Sequence, residues 1–228
     1  MLRSLVNTNI KRALELFEDN NIFLPPFGYW TKEDWLEKEN IENIKTLMLG
    51  WDVTDFGQGD YQRLGGTLFT LRNGLLGDDS IGTPYAEKLI VLSDGQRLPL
   101  HYHKEKTEDI INKSSGLMGI KLYNVTGDGH VDQETEVKIL RDGIETLVKA
   151  GETIFIPRGA SITLKPFQYH VFWAEKGHGD LILGEVSSIN DDNIDNYNAE
   201  PISRFTSIEE DCQITYPLCN ELKKVLNA

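Results

Sequence analysis

Residues 95–116 read GQRLPLHYHKEKTEDIINKSSG, and the fold turns on how His101, His103 and Glu108 sit within that stretch. Side chains on an extended segment alternate, so two histidines two residues apart point to the same side and can hold one metal ion. Glu108 lies an odd number of residues beyond His103 and on an unbroken strand would face away from both. The polar run KEKT at 104–107 predicts a turn or bulge that restores the parity and brings the carboxylate back. Lys106 then shares a face with Glu108, which puts an ammonium group beside the ion. A His-x-His pair by itself also suits a surface strand with two exposed imidazoles. Here two of only five histidines fall in one tripeptide bounded by Gly95 and Gly116, which favours the metal site.

The 228 residues suffice for one domain with a proper core, and 26% charged with 39% hydrophobic residues is the balance of a soluble globular protein. A net charge of −13 argues against nucleic acid and against an anionic membrane, because phosphates need a basic footprint, and favours a small neutral or cationic ligand. The N-terminal residues never reach the apolar length of a secretory signal, and no apolar run is long enough to span a bilayer. Cys212 and Cys219 match no zinc or redox spacing. A cytoplasmic, reduced protein is expected.

Apolar residues at Leu5, Val6, Ile10, Ala13, Leu14 and Phe17 repeat at three and four, predicting an amphipathic helix over 4–19. Thr31 is a candidate N-cap for a second helix through about Asn40 that buries Trp35 and Leu36. From Leu47 the texture changes to short apolar runs at 47–53, 66–72, 86–92, 98–103, 118–123, 136–140, 145–149, 153–156, 161–164, 170–174 and 181–186. Many short strands at turn-rich intervals predict an antiparallel sandwich or barrel. Gly127-Asp128-Gly129 and Asp142-Gly143 are hairpin turns, and a short helix is expected over 218–226. The expected organisation is a single domain over 1–228: a helical extension at 1–45, a β core at 46–190, and a segment at 191–228 covering the barrel mouth.

Two histidines and a glutamate in a β-barrel call for one more ligand from a later strand. His130 and His178 lie in glycine-rich loops. His170 opens the apolar strand VFWA, where an imidazole must be satisfied, as a metal ligand or as a core histidine bonded to a carbonyl. Gly95, His101, His103, Glu108 and Gly116 resemble the first motif of the cupin superfamily, with one extra residue before the last glycine. The second cupin motif fits on Gly159 to His170, where Lys165 replaces the usual proline and Phe167 the second glycine; a competing frame on Gly151, Pro157 and Gly159 leaves the histidine too late. The resemblance implies a mainly β, double-stranded jelly-roll barrel with N-terminal helices, a short C-terminal helix and the metal inside.

A closer resemblance, to the D-lyxose isomerases, rests on LGWDVT at 49–54, TLFTLRNG at 67–74, YAEK at 85–88, EDIINK at 108–113, FWAE at 172–175 and GEVSSINDD at 184–192. It implies interconversion of D-lyxose and D-xylulose, often with D-mannose and D-fructose, supported best by Mn²⁺. Three imidazoles and a carboxylate also suit Co²⁺, Fe²⁺, Ni²⁺ or Zn²⁺. Such an isomerase needs a carboxylate that reaches C1 and C2 and a cation for the oxyanion. Glu185, on an apolar strand, is the expected base and Lys106 the expected cation, with a solvated turn lysine as the plain alternative. Glu175, Asp195 (from the polar run with Asn190, Asp191 and Asp192), Arg204 and Trp173 are expected to contact sugar. Two other readings use the same ligands: a sugar-binding or sensing cupin without turnover, and a metal-dependent dioxygenase. A homodimer through residues 1–45 is expected from the apolar stripe of the first helix.

Overall fold

The computed structural model describes residues 1–191 and 194–226; Asp192 lies outside the described residues. The strands form two antiparallel sheets that pack face to face as a jelly roll. In the larger sheet the order is β1 (Gly50–Thr54), β2 (Gly66–Leu75), β3 (Asp78–Leu92), β12 (Leu181–Ser188), β5 (Glu108–Asn112), β10 (Ser161–Leu164), β7 (Val137–Arg141) and β8 (Ile144–Val148). In the smaller sheet it is β13 (Tyr197–Asn198), β4 (His101–Tyr102), β11 (Gln168–Ala174), β6 (Met118–Asn124) and β9 (Ile154–Ile156). Asp142 and Gly143 both take positive φ, the type I′ geometry that joins β7 to β8 in register.

Leu68, Ile90, Leu92, Leu181 and Leu183 from the larger sheet meet Ile120, Leu122 and Phe172 from the smaller one in the central core. The alternate residues of the larger sheet, Phe69, Leu89, Val91 and Ile182, face outward and are covered by α1 (Arg3–Asp19). Both faces of β1, β3 and β12 are therefore buried where α1 lies, which is why these strands read as continuous apolar runs instead of alternating ones.

Val6, Ile10 and Phe17 of α1 are at most 2% exposed. Burying each contributes roughly 2 kcal/mol before entropy is counted. The stripe that suggested a dimer contact is thus covered by the chain's own sheet. A fully buried Arg3 fastens the same helix to the C-terminal segment: its guanidinium donates to Glu210 at 2.8 Å and to Glu221 at 2.7 and 2.9 Å. Main-chain bonds from Met1 to Ser207 and between Arg3 and Glu209 extend the seam.

Some boundaries differ from the sequence expectation. The strand expected over 98–103 is reduced to His101–Tyr102, because Pro99 has no N–H to give a ladder. Glu108–Asn112 forms β5, a strand that the list of short apolar runs does not contain. The second helix carries the expected Thr31 cap, with Asp34 completing a capping box, but stops at Leu36. The polar run after it gives the helix nothing to bury. The C-terminal helix is confined to Leu222–Val225, since Leu218 to Glu221 form a turn closed on the Glu221 carboxylate.

Candidate active site

The site lies between the sheets. The smaller sheet supplies imidazoles: His101 on β4 is paired directly with His170 on β11, and His103 follows where β4 ends. The larger sheet supplies charge: Glu108 opens β5, Glu185 lies on β12, and Lys88 lies directly opposite Glu185 on β3. The turn at 104–107 carries Lys106 into the same space.

Each imidazole turns Nδ1 toward a backbone carbonyl: His101 toward Pro99 at 3.0 Å, His170 toward Gln168 at 3.1 Å, and His103 toward Asp195. A carbonyl oxygen can only accept, so the proton of each neutral ring sits on Nδ1 and the lone pair on Nε2. The three Nε2 lone pairs then converge. Those of His101 and His170 are 3.2 Å apart, and the ligand atoms of the three histidines lie within 4.8 Å of one another. Glu108 Oε1 is 3.3 Å from His170 Nε2 and 3.6 Å from His103 Nε2. The buried His103 Nε2 has no hydrogen-bond partner among the described residues.

Electrostatics favour the same protonation states. Burial, reinforced by the neighbouring imidazoles of His170 and His103, holds His101 well below the usual histidine range, so it stays neutral. Burial pushes Glu108 upward, but the Lys106 ammonium 2.7 Å from Oε2 and the imidazoles outweigh it and hold the carboxyl well below the usual range. Lys106 Nζ is also 3.2 Å from Glu185 Oε1 and 3.1 Å from Asn190 Oδ1, and Lys88 Nζ is 3.4 Å from that same Glu185 oxygen. Lys88, Lys106, Glu108 and Glu185 are each at most 5% exposed. They form an unbroken chain of alternating charge.

These groups line a cavity of about 540 Å³, counting its mouth, whose apolar walls include Phe56, Ile90, Leu98 and Phe172. Asn196, Asn198, Ile202 and Arg204 from the C-terminal segment complete it. Arg204 lines the cavity, with Nη1 2.5 Å from Asp52 Oδ2. Thr206 anchors the adjoining chain by accepting from the N–H of Asp55 at 3.0 Å and donating to its carboxylate.

Three expected sugar contacts stand elsewhere. Trp173 and Glu175 follow His170 at odd spacings, so the strand turns them to the outer face of the smaller sheet; there Trp173 Nε1 donates to Glu175 at 2.6 Å beside Arg97 and Lys121. Asp195 is near the site, but its carboxylate accepts the backbone N–H groups of Lys104 at 2.7 Å, of Glu105 at 3.2 Å and of Lys106 at 2.9 Å. It holds the metal-motif turn and does not face the cavity as a hydroxyl partner. Three successive amides around one carboxylate form an anion-binding nest, and this is what stabilises the parity-restoring turn. His130 is exposed in its loop, and so is His178.

Lys88, which lines the cavity, and Asp52, which pairs with Arg204 at its wall, carry no role in the sequence analysis. Lys88 could have been found by the reasoning that selected Glu185, for it is the one ammonium within the apolar run at 86–92 and needs a buried counter-charge.

The comparisons with known proteins agree with this architecture. A model of the D-lyxose isomerase family matches residues 1–222. The D-lyxose/D-mannose isomerase of Serratia proteamaculans is 41% identical over 224 residues, covering 97% of each chain. That of Escherichia coli O157:H7 is 37% identical over 226 residues, covering 98% of this chain and 99% of the relative. Among solved structures, the L-ribose isomerase of Geodermatophilus obscurus superposes with a TM-score of 0.60 at 15% identity over 92% of this chain and 98% of its own. The L-ribose isomerase of Acinetobacter sp. DL28 in complex with L-ribose gives 0.59 at 14% over 91% and 98%. At such low identity these two speak for the shared fold, while the family match and the two curated relatives speak for descent. The chain therefore belongs to the D-lyxose isomerase family of aldose–ketose sugar isomerases.

Proposed function

We propose that the chain interconverts D-lyxose with D-xylulose and D-mannose with D-fructose, using a divalent ion, Mn²⁺ first among them, held by His101, His103, Glu108 and His170. The observation that carries this reading is the gathering of three lone-pair-bearing Nε2 atoms, two of them within 3.6 Å of one carboxylate oxygen. Two acceptors 3.2 Å apart repel one another unless a cation or a proton lies between them, and burial disfavours the proton on His101. The donor set fits a hard-to-borderline divalent ion. The carbonyl partners at each Nδ1 are what fixes a ligating imidazole in one tautomer. When bound, the ion would polarise the sugar carbonyl as a Lewis acid and serve as a template for two oxygens.

The rest of the chemistry belongs to this chain. Glu185 takes the proton from C2 of the open-chain aldose and returns it to C1, so the carbon skeleton gains and loses none. Lys106 stabilises the negative charge that develops on O1 during this transfer, and the proton leaving O2 ends on O1. Lys88 and Lys106 hold the Glu185 carboxylate between them, at 3.4 and 3.2 Å from the same oxygen. Leu98, Phe172 and Ile202 give the cavity apolar walls around the reacting carbons.

The test is an isomerisation assay on metal-stripped protein. Mn²⁺, Co²⁺, Fe²⁺, Ni²⁺ and Zn²⁺ are added back in turn with D-lyxose, D-mannose and D-xylose. Ketose should form with D-lyxose and D-mannose, deuterium from solvent should enter C1, and His170→Ala should abolish both. Folded, metal-loaded protein that turns over none of these sugars overturns the reading.

A further inference from the structure

We infer that a second chamber behind the active-site cavity is the subsite for the far end of a hexose, and that it decides how well a six-carbon sugar is used relative to a five-carbon one. This inference rests on the proposed function above. D-mannose has the configuration of D-lyxose from C2 to C4 and is longer by one carbon bearing a hydroxyl. If both sugars place C1 and C2 against the imidazoles and Glu185, everything that differs between them lies at the opposite end. The enclosure at that end therefore sets the discrimination.

A second cavity gives a direction for the extra length. On one side the first cavity is lined by Ile90, Leu98 and Phe172, which belong to the central core. On another it is bounded by Leu68, Lys88 and Arg204, and these same three residues form a wall of a second cavity, of about 820 Å³ including its opening. That chamber lies over β1, β2 and β3 and is also lined by Asn190, Asp191 and Phe205. Its interior suits a hydroxymethyl group. Leu47 and Leu68 give apolar contact, while Asp52, Thr70 and Arg204 give hydrogen-bonding groups.

The Asp52–Arg204 pair stands where the chambers meet. Asp52 is 5% exposed, and an ionised carboxylate has lone pairs beyond those taken by one guanidinium N–H. The pair can therefore receive a terminal hydroxyl without being broken. Backbone order in the chamber is set independently of sugar, since the Asn73 side chain pairs with both the N–H and the C=O of Asn190 at 3.0 and 2.9 Å. The chamber is thus a preformed space and needs no closure.

Filling the chamber from residues that do not line the first cavity tests the inference. Thr70→Leu and Cys219→Leu add bulk from two different elements. In each metal-loaded variant kcat/KM for D-mannose should fall roughly tenfold or more, while that for D-lyxose stays within about threefold, the scale on which pocket volume discriminates. Calorimetric binding of D-mannitol and D-arabinitol, the corresponding sugar alcohols, gives the same comparison without turnover. Mannitol should weaken and arabinitol should not. Parallel losses for both chain lengths, or no change for either in variants that melt as the parent does, overturn the subsite. Failure of the parent to isomerise any sugar instead overturns the isomerase reading, and the two sugar alcohols still decide the subsite.

Discussion

Replacing Asp195 by alanine separates positioning from sugar binding. The carboxylate accepts from the amides of Lys104, Glu105 and Lys106. Hydrogen bonds to a charged acceptor contribute about 1.5–3 kcal/mol each. Two of these amides are exposed, so water replaces much of what they lose, whereas the Lys106 amide is partly buried and keeps its penalty. A net loss of about 2 kcal/mol is expected, which shifts the ordering equilibrium of the turn roughly 30-fold. The same residue's carbonyl receives His103 Nδ1, so a loosened Asp195 also loosens a ligand. Disturbing such an outer partner typically weakens metal affinity about 10–100-fold. Competition against a chelator measures the affinity, and steady-state kinetics at saturating metal measure the rest. Affinity and kcat should fall while KM for D-lyxose moves little, and Asp195→Asn, which keeps one acceptor, should recover part of the affinity. A raised KM with metal affinity unchanged would falsify this account and return Asp195 to the role of sugar ligand.

Lys88→Met should leave Glu185 with one ammonium partner in place of two and lower kcat by about 100-fold with KM little changed, the lower end of what positioned acid–base groups contribute; unchanged kcat removes Lys88 from the machinery. Trp173→Phe should leave kcat/KM within about twofold, because the ring lies on the outer face, and a large loss would place that face in the site. Arg3→Ala strands the Glu221 carboxylate, 16% exposed, and should cost about 3 kcal/mol, or roughly 6–12 °C in Tm for a chain of this size. A calorimetric scan that finds no shift contradicts the seam between helix and C-terminal segment. In metal-free protein the lowered His101 pKa means that the unfolded chain binds the proton more readily. Stability should therefore be full above about pH 6.5, the unfolded value, and decline as pH falls below it. His101→Asn should flatten that slope in urea titrations.

The period-two spacing of His101 and His103 and the acid at 108 showed that these side chains gather on one side, because alternation on a strand is enforced by covalent geometry. Glu185 was legible for another reason: an ionised group on an apolar strand needs a partner. Two things were not legible. The outward turn of Trp173 and Glu175 follows from the same alternation, but it can be read only once His170 is known to face inward, and a single histidine does not establish that. The role of Asp195 depends on a contact between residues about ninety positions apart, which no local pattern encodes. Its carboxylate looked available for sugar, although the amides of the turn at 104–106 needed an acceptor and had none nearby in sequence.

The distribution of charge between the sheets explains why two lysines are buried beside the ligands. Glu108 and Glu185 carry two negative charges in a space of low dielectric, and Lys88 and Lys106 balance them at 2.7–3.4 Å. Arg204 and Asp52 balance each other at the far wall. The imidazoles aside, these groups sum to zero. A divalent ion held there would add positive charge that none of these groups cancels, and the cavity as a whole would then favour negative charge on the sugar over neutral ground-state oxygens. That preference is what lowers an enolisation barrier, since charge on oxygen grows toward the transition state. Were the lysines absent, the two carboxylates would neutralise the ion and the preference would vanish, although affinity for metal would rise. The double variant Lys88→Met/Lys106→Met should therefore bind Mn²⁺ more tightly than the parent and isomerise D-lyxose far more slowly. Chelator competition and initial rates on the same sample measure both, and a variant that loses affinity along with activity refutes the charge argument.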